Sequence, residues 1–318
     1  MTWLYDDFHA VPYLRFLGPP ESGKTRASET IGALCYRTMM IAGAATPAPM
    51  YHMIEAIGGT LLIDEADFRD SAVGADIIKV LNCGYQRGLS VKRMDKNEEG
   101  VQVPRRYEVF GPKIINGRQR FKDHATETRC LTCHSKPMTR ADIPVQLQPE
   151  FLAESEELRN LLLTFRLNNL GKVRTSSERI EGMSSRMNQI IAPLLTIAAS
   201  LSETSYRDDL VEFARRSQSK AKVLASESAE AAIVQVLLDS VEGNILNCQD
   251  VCTMIADDGS FPDVAKWIRP RHVGRIVRDE LGLETEHQKQ GTVIKFDKEQ
   301  LKVLAIRYGL TEASTVIR

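Results

Sequence analysis

Gly18-Pro19-Pro20-Glu21-Ser22-Gly23-Lys24-Thr25 fits the spacing G-x-x-x-x-G-K-[ST] at every fixed position. Such a loop is suited to holding phosphates. Its glycines let backbone N–H groups turn inward, and a following helix aims the positive end of its dipole at the anion. Pro19, Glu21 and Ser22 complete the cradle, Lys24 reaches the β and γ phosphates, and the Thr25 hydroxyl ligates Mg²⁺. A second acidic group closes the apolar run Thr60-Leu61-Leu62-Ile63 with Asp64 and Glu65. Two adjacent carboxylates repel one another unless a cation or donor lies between them, which points to a metal site. In that chemistry Asp64 holds the Mg²⁺ hydration shell and Glu65 orients or deprotonates an attacking water. The expected cofactors are ATP and Mg²⁺.

These residues need particular elements to position them. Residues 12–17 read as a short strand entering the loop, and a helix follows from Lys24 to about Cys35. Thr60–Ile63, bounded by Gly58-Gly59 and the two acids, has the continuous apolar pattern of a parallel strand buried on both faces. Asp76–Leu81 reads as helix. Ser90–Met94 and Arg106–Ile115 are extended segments separated by a polar D-K-N-E-E-G turn, the pattern of a hairpin. Strand and helix alternate to about residue 140, which argues for an α/β doubly wound parallel sheet. Pro144–Pro149 is a connector, and a helical pattern runs from Glu150 to Ser226. From Glu227 three helical segments (229–240, 248–255 and 269–281) precede the extended piece Gly291–Phe296, the order of a winged helix-turn-helix. The expected division is 1–143, 144–226 and 227–318.

Composition narrows the class further. A net charge of −1 gives no bulk attraction to nucleic acid, so any basic surface must be local. No apolar run approaches the roughly 18 residues of a membrane span. The acidic start M-T-W-L-Y-D-D-F lacks the features of a signal peptide, so the expected compartment is the cytoplasm. Six scattered cysteines read as reduced thiols. Cys130-x-x-Cys133-His134 matches a haem-attachment pattern, which requires export, and Cys248 with Cys252 raises a zinc alternative. The simpler reading is a buried strand with small apolar thiols.

I-D-E-A-D at 63–67, together with the phosphate loop, resembles the AAA+ P-loop ATPases over about residues 10–200. The resemblance implies a sensor-1 role for Asn116, in K-I-I-N. It also implies an arginine that reaches the neighbouring subunit's ATP. Arg129, in A-T-E-T-R-C-L, stands at that point, with Arg120 as the competitor. The helices after Pro149 resemble the family's lid, in which Arg186 takes the nucleotide-contacting sensor-2 place, with Arg179 nearby. Active sites would then lie between subunits of a homo-oligomeric ring. L-N-C-G-Y-Q-R-G followed by V-F-G-P-K is similar to superfamily-3 and MCM-like helicases of phages, plasmids and mobile elements. In those proteins a hairpin lies between the acidic motif and Asn116. Lys92, Arg93, Arg105 and Arg106 place positive charge on that hairpin, where it could track a DNA backbone. The alternative is a solvated hairpin, since its D-K-N-E-E tip is net acidic.

In the last segment Lys266, Arg269, Arg271, Arg275 and Arg278 follow one another with no acid between Lys266 and Arg278. His272, Arg275 and Arg278 are spaced to line one exposed helical face, with Val273, Ile276 and Val277 as the buried stripe and Leu281 following. A basic recognition helix followed by a wing enters a DNA groove, and it also serves in protein docking. Two functions fit. One is an oligomeric ATP-driven motor that translocates on or unwinds DNA, working with other replication or mobile-element proteins. The other is a non-motor ATPase switch, such as a loader, transposition regulator or defence ATPase, whose winged helix docks a protein. A small-molecule kinase accounts for neither Asn116 and Arg129 nor the C-terminal module.

Overall fold

The structure, a computed structural model, describes residues 1–42, 47–66, 72–96, 99–121, 123–137, 142–144, 146–201, 205–240, 245–288 and 291–310. Contacts divide the chain into two compact units, Met1–Arg215 and Arg216–Arg318.

The N-terminal unit begins with a 3-10 turn over Thr2–Asp7 and then alternates strand with helix. The order is β1 (Tyr13–Leu17), α1 (Lys24–Gly32), β2 (Met39–Ala42), α2 (Pro47–Ile57), β3 (Leu61–Asp64) and α3 (Ala72–Gly84). A hairpin of β4 (Ser90–Lys96) and β5 (Gln102–Glu108) follows, then β6 (Lys113–Gly117), α4 (His124–Glu127) and β7 (Cys130–His134). Helices α5 (Pro149–Asn169), α6 (Ser185–Ala199) and α7 (Ser205–Ser226) complete this part, the division between units falling inside α7. Five strands form one sheet in the order β2-β3-β6-β1-β7, and every pairing is parallel.

Alternation along the central strands explains why they read as continuous apolar runs. Tyr13, Leu61, Ile63 and Ile115 pack in one cluster with Ile77, Val80 and Leu81 of α3. Phe16, Leu62 and Ile114 pack on the opposite face, against Ala27 of α1 and Cys35. Both faces are covered, as a parallel sheet requires.

The expectation of one extended segment over 106–115 is corrected. β5 ends at Glu108, and Gly111-Pro112 separates it from β6, which belongs to the other sheet. Proline brings no N–H to a ladder, and its carbonyl is used instead, accepting from Leu61 N at 3.0 Å. The helical stretch expected over 150–226 is likewise interrupted, by irregular chain between α5 and α6.

Two buried basic side chains fasten the sheet. Arg15 of β1 is 1% exposed and meets Glu127 of α4 through both carboxylate oxygens, at 2.6 and 2.5 Å. Its guanidinium also donates to Thr132 Oγ1 of β7 and lies over the Phe121 ring. Burial pushes the Glu127 carboxyl up, but hydrogen bonds and charge from Arg15, with help from Arg120, outweigh it and hold the group below its usual range. At the start of β6 the fully buried Lys113 donates to the carbonyls of Gly84, Val109 and Gly111 at 3.2, 3.0 and 3.0 Å. One side chain thus ties the end of α3 to the chain entering β6.

The C-terminal unit contains α8 (Ala229–Asp239), β8 (Ile245–Asn247), α9 (Cys248–Asp258), α10 (Pro262–Trp267), α11 (Pro270–Asp279), β9 (Glu284–Gln288), β10 (Gly291–Lys295) and α12 (Lys298–Tyr308). Its three strands form an antiparallel sheet in the order β8-β10-β9. Val273, Ile276, Val277 and Leu281 are buried in its core with Ile233, Val251 and Ile294. β8, α10, β9 and α12 are additions to the sequence-based reading. β9 escapes it because E-T-E-H-Q carries no apolar alternation.

Burial pulls the Lys113 pKa down to about 7. An unfolded lysine titrates near 10.4, so between about 7 and 10 the unfolded chain binds a proton that the folded chain does not. Lys113 therefore makes stability rise with pH in that window. Denaturant titrations of wild type and Lys113→Met from pH 7 to 9 should show the wild type gaining on the variant by up to ~1.4 kcal/mol per pH unit.

Candidate nucleotide site and cationic surfaces

The sheet order determines what can meet. β6 lies between β1 and β3, so the carboxyl ends of three adjacent strands deliver the phosphate loop, Asn116 and Asp64 to one edge. Ligand sites of open parallel sheets lie at such edges. Gly18 follows β1 and its N–H donates to Gly117 O of β6. The loop then turns through positive φ at Glu21 (58°) and Gly23 (76°). Changes of hand at successive residues curl N–H groups around a concave, anion-binding hollow. Lys24 opens α1 and folds its ammonium over the loop, onto Gly18 O at 2.9 Å and Pro19 O at 2.5 Å. Ser22 is buried and donates to Pro19 O at 2.8 Å, bracing the turn from inside.

Thr25 Oγ1 stands 3.2 Å from both carboxylate oxygens of Asp64. Asn116 is 1% exposed, and its amide nitrogen reaches Asp64 Oδ1 at 2.9 Å and Ser28 Oγ at 2.7 Å. Ser28 in turn donates to Thr25 O at 2.8 Å. One hydrogen-bonded line therefore joins α1, β3 and β6 across the site. Asn116 O closes it on the main chain by accepting from Ala66 N at 2.7 Å. Asn116 Oδ1 is buried with no partner among the described residues. A buried acceptor left in that state is costly unless a ligand or water uses it.

Glu65 lies just beyond this line. Its backbone is left-handed (φ 54°), and its carboxylate is exposed, 3.8 Å from Arg118. Ser28 and Arg118 are the site residues that motif reading does not single out. Ser28 was accessible in principle, since it lies one helical turn beyond Lys24 on α1.

Thr25 Oγ1 and the Asp64 carboxylate form a hard oxygen pair. Neighbouring oxygens around octahedral Mg²⁺, each at ~2.1 Å from the metal, are about 3 Å apart, so the donor set and its separation suit that ion. Among the described residues no group of three or more His, Cys, Asp or Glu side chains forms a separate metal cluster. Cys130–His134 is strand β7, and burial pushes the Cys130 thiol up to about 12.

Three arginines are redistributed. Arg120 is bound to Glu127 at 2.6 Å, within the buried Arg15 network, which gives it a structural task. Arg129 precedes β7, and its carbonyl accepts from Tyr13 N at the amino end of β1. Five residues of parallel strand, about 16 Å, separate that end from its own phosphate loop. Arg186 lies beside Tyr85. It donates to Tyr85 Oη at 2.7 Å, and the Tyr85 carbonyl is bonded to Val11 N, so Arg186 too lies at the amino ends of the strands.

The hairpin register divides its four cations into two pairs. Lys92 lies opposite Arg106, and Arg93 opposite Arg105. Side chains directly opposite share a face, and successive residues alternate. Arg93 and Arg105 are on the inward face, where Arg93 pairs with Asp76 of α3 at 3.0 Å and Arg105 with Glu55 of α2 at 2.8 Å. They tie the hairpin to the body through these ion pairs. The outward face carries Lys92 and Arg106, the latter paired with Glu108 at 2.9 Å, together with exposed Met94 and Lys96.

In the C-terminal unit Arg271, Arg275 and Arg278 are exposed on α11, above the buried stripe. They line a groove of about 470 Å³ with Gly274, His287 and Thr292. His272 does not join them on the exposed face. Half-buried, it packs against Trp267.

No protein-family profile matches the sequence, and no curated protein does. Among solved structures, the chain is similar to the apo A form of the NrS-1 C-terminal region at 12% identity, with 92% of this chain and 69% of that one covered and a TM-score of 0.37. A further apo structure of that region (305–718) matches at 14% identity, with 92% and 69% covered and a TM-score of 0.35. A JCV helicase in complex with a small molecule matches at 13% identity, covering 69% of this chain and 54% of that one, with a TM-score of 0.28.

A β-carbon on Gly18 would lie 2.5 Å from Ser135 O and 2.9 Å from Ser22 Oγ, so the loop must move to accept it. Gly18→Ala should weaken binding of a fluorescent ATP analogue at least tenfold, about 1.4 kcal/mol, as read by titration.

Proposed function

We propose that this chain is an AAA+ ATPase of helicase type, an oligomeric motor that hydrolyses Mg-ATP while acting on DNA in the replication of a mobile element. The observation that carries the reading is the line Thr25–Asp64–Asn116–Ser28, which joins three elements at the lip of a phosphate loop. In this reading the backbone of Gly18–Gly23 and the Lys24 ammonium bind the phosphates. Thr25 and Asp64 hold Mg²⁺. When bound, Mg-ATP supplies the electrophilic phosphorus and the cation that offsets charge on its oxygens. Glu65 accepts the proton of the attacking water, and Asn116 fixes the position of Asp64 and of that water. Arg129, presented at the far edge of the sheet, serves a neighbouring copy rather than its own site.

The C-terminal unit is read as a winged helix, with α11 as the recognition helix and β9–β10 as the wing. Three exposed arginines on α11 at i, i+4 and i+7 support contact with a phosphate backbone. On the hairpin, Lys92 and Arg106 keep their assignment to DNA. One observation favours the second reading, a non-motor switch with a protein-docking winged helix. Arg93, Arg105 and Arg106 are all paired with carboxylates, which leaves the hairpin less positive than its sequence implies. ATPase rates with and without single-stranded DNA, across a salt series, separate the two. Stimulation that falls steeply with salt supports the motor, and indifference to DNA supports the switch.

Glu65→Gln should bind nucleotide within about threefold of wild type and lose at least ~10²-fold in kcat, the range expected for a general base. Turnover at the wild-type rate would remove the role given to Glu65.

A further inference from the structure

We propose that the groove between α11 and the β8-β10-β9 sheet seats the sugar-phosphate backbone of a DNA duplex without regard to base sequence, with Gly274 as its floor. The inference rests on the DNA reading above. It adds the seat itself and what α11 touches there, which is backbone in place of base edges.

Shape gives the first argument. The groove holds about 470 Å³ and is lined wholly by residues of the C-terminal unit. α11 forms one wall, and Asn247 of β8, His287 of β9 and Thr292 of β10 stand across from it. A helix that reads base edges must project into the major groove of a duplex. The arginine face of α11 is instead one side of a hollow. A hollow accepts a ridge, and the ridges of a duplex are its two backbones.

Chemistry gives the second. Arg271, Arg275 and Arg278 span about 10 Å of helix axis. No carboxylate is among the described residues that line the groove. Asp279 meets Arg278 at 3.1 Å, an exposed pair that competes little with phosphate, and the charge of Arg275 also reaches Glu280 just past the helix. Of the acceptors on the opposite wall, Asn247 Oδ1 accepts from Gln249 N at 2.9 Å, and Thr292 Oγ1 is engaged with His287 Nδ1 at 2.9 Å. The lining is rich in donors and poor in free acceptors. Adenine and cytosine present amino donors in the major groove, whereas phosphate oxygens only accept, so the lining matches the backbone.

Gly274 gives the third. It lies on the stripe of the three arginines, in the middle of a ten-residue helix, where alanine is the more stable residue. Packing does not require glycine. A β-carbon there would lie 3.8 Å from Cys248 Sγ and 3.9 Å from Thr292 Cγ2, which are ordinary contact distances. What the glycine provides is depth, since a methyl group would fill the gap between α11 and Thr292.

The test is fluorescence anisotropy of the full-length protein on labelled duplexes across a salt series, with selection of bound duplexes from a randomised library and thermal melts of every variant. Wild type should bind unrelated sequences with Kd values within about threefold of one another. Arg271→Ala, Arg275→Ala and Arg278→Ala should each weaken all sequences alike and lower the salt slope by about 0.9, the value of one phosphate contact. Gly274→Ala keeps every charge and should melt no lower than wild type, yet bind at least about threefold more weakly. Three results overturn the proposal and leave the DNA reading standing. One is a selected base motif that the arginine variants lose, since α11 would then read base edges. Another is wild-type affinity in Gly274→Ala or in all three arginine variants, since the duplex would then be held elsewhere. The third is a lower melting temperature in Gly274→Ala, which would show that packing demands the glycine. A wild type that binds neither duplex nor single-stranded DNA overturns the DNA reading itself, and this inference with it.

Discussion

Three parallel strands that end at one level control the N-terminal unit. β1, β6 and β3 are hydrogen-bonded neighbours that end within one residue of one another, at Leu17, Gly117 and Asp64, so their side chains and loops share one edge. A parallel ladder fixes this through its burial as much as its hydrogen bonds. A slip of one residue in β6 would move Ile115 from the α3 cluster to the α1 face and take Asn116 off Asp64. The buried Arg15–Glu127 pair and the Lys113 staple act on the same strands from outside the site. Removing Arg15 or Glu127 alone would leave an uncompensated charge in the interior.

The same register separates the two ends of the sheet. The carboxyl ends gather the phosphate-type loop, Thr25, Asp64 and Asn116, whereas the amino ends gather arginines on an aromatic ring. A subunit built this way is asymmetric along its strands. Each edge carries what the opposite edge of another copy lacks, the condition for heterologous rather than isologous contact.

What was legible in the sequence was local in spacing. The phosphate-loop spacing, the acids closing the apolar run at Asp64 and the buried stripe of α11 are local patterns, whereas Asn116 is picked out only by family resemblance; the structure brings Asn116 to Asp64. What was illegible depends on register or on which end of a strand a residue reaches. The hairpin's four cations look equivalent in sequence, and only the pairing of Arg93 with Arg105 shows that half of them face inward toward acids on α2 and α3. Arg186 is assigned by resemblance to the family's lid alone, and only the fold shows that it meets Tyr85. Gly111-Pro112 is a break that apolar content on both sides conceals. Ser28 escapes because a serine inside a helix has no distinguishing neighbours. It is the turn from Lys24, together with an asparagine brought from β6, that gives it a task.

The backbone at Glu65 has a consequence of its own. A residue with a β-carbon held at φ 54° costs roughly 1–2 kcal/mol relative to a relaxed conformation, and glycine or asparagine would occupy that place with less strain. On the proposed reading, the backbone at position 65 favours one residue and the chemistry another. If Glu65 is the base proposed above, a protein selected only for persistence at high temperature would drift toward glycine there and give up turnover for durability. A carboxylate there places a small, permanent tension at the lip of the site, located in a single peptide unit.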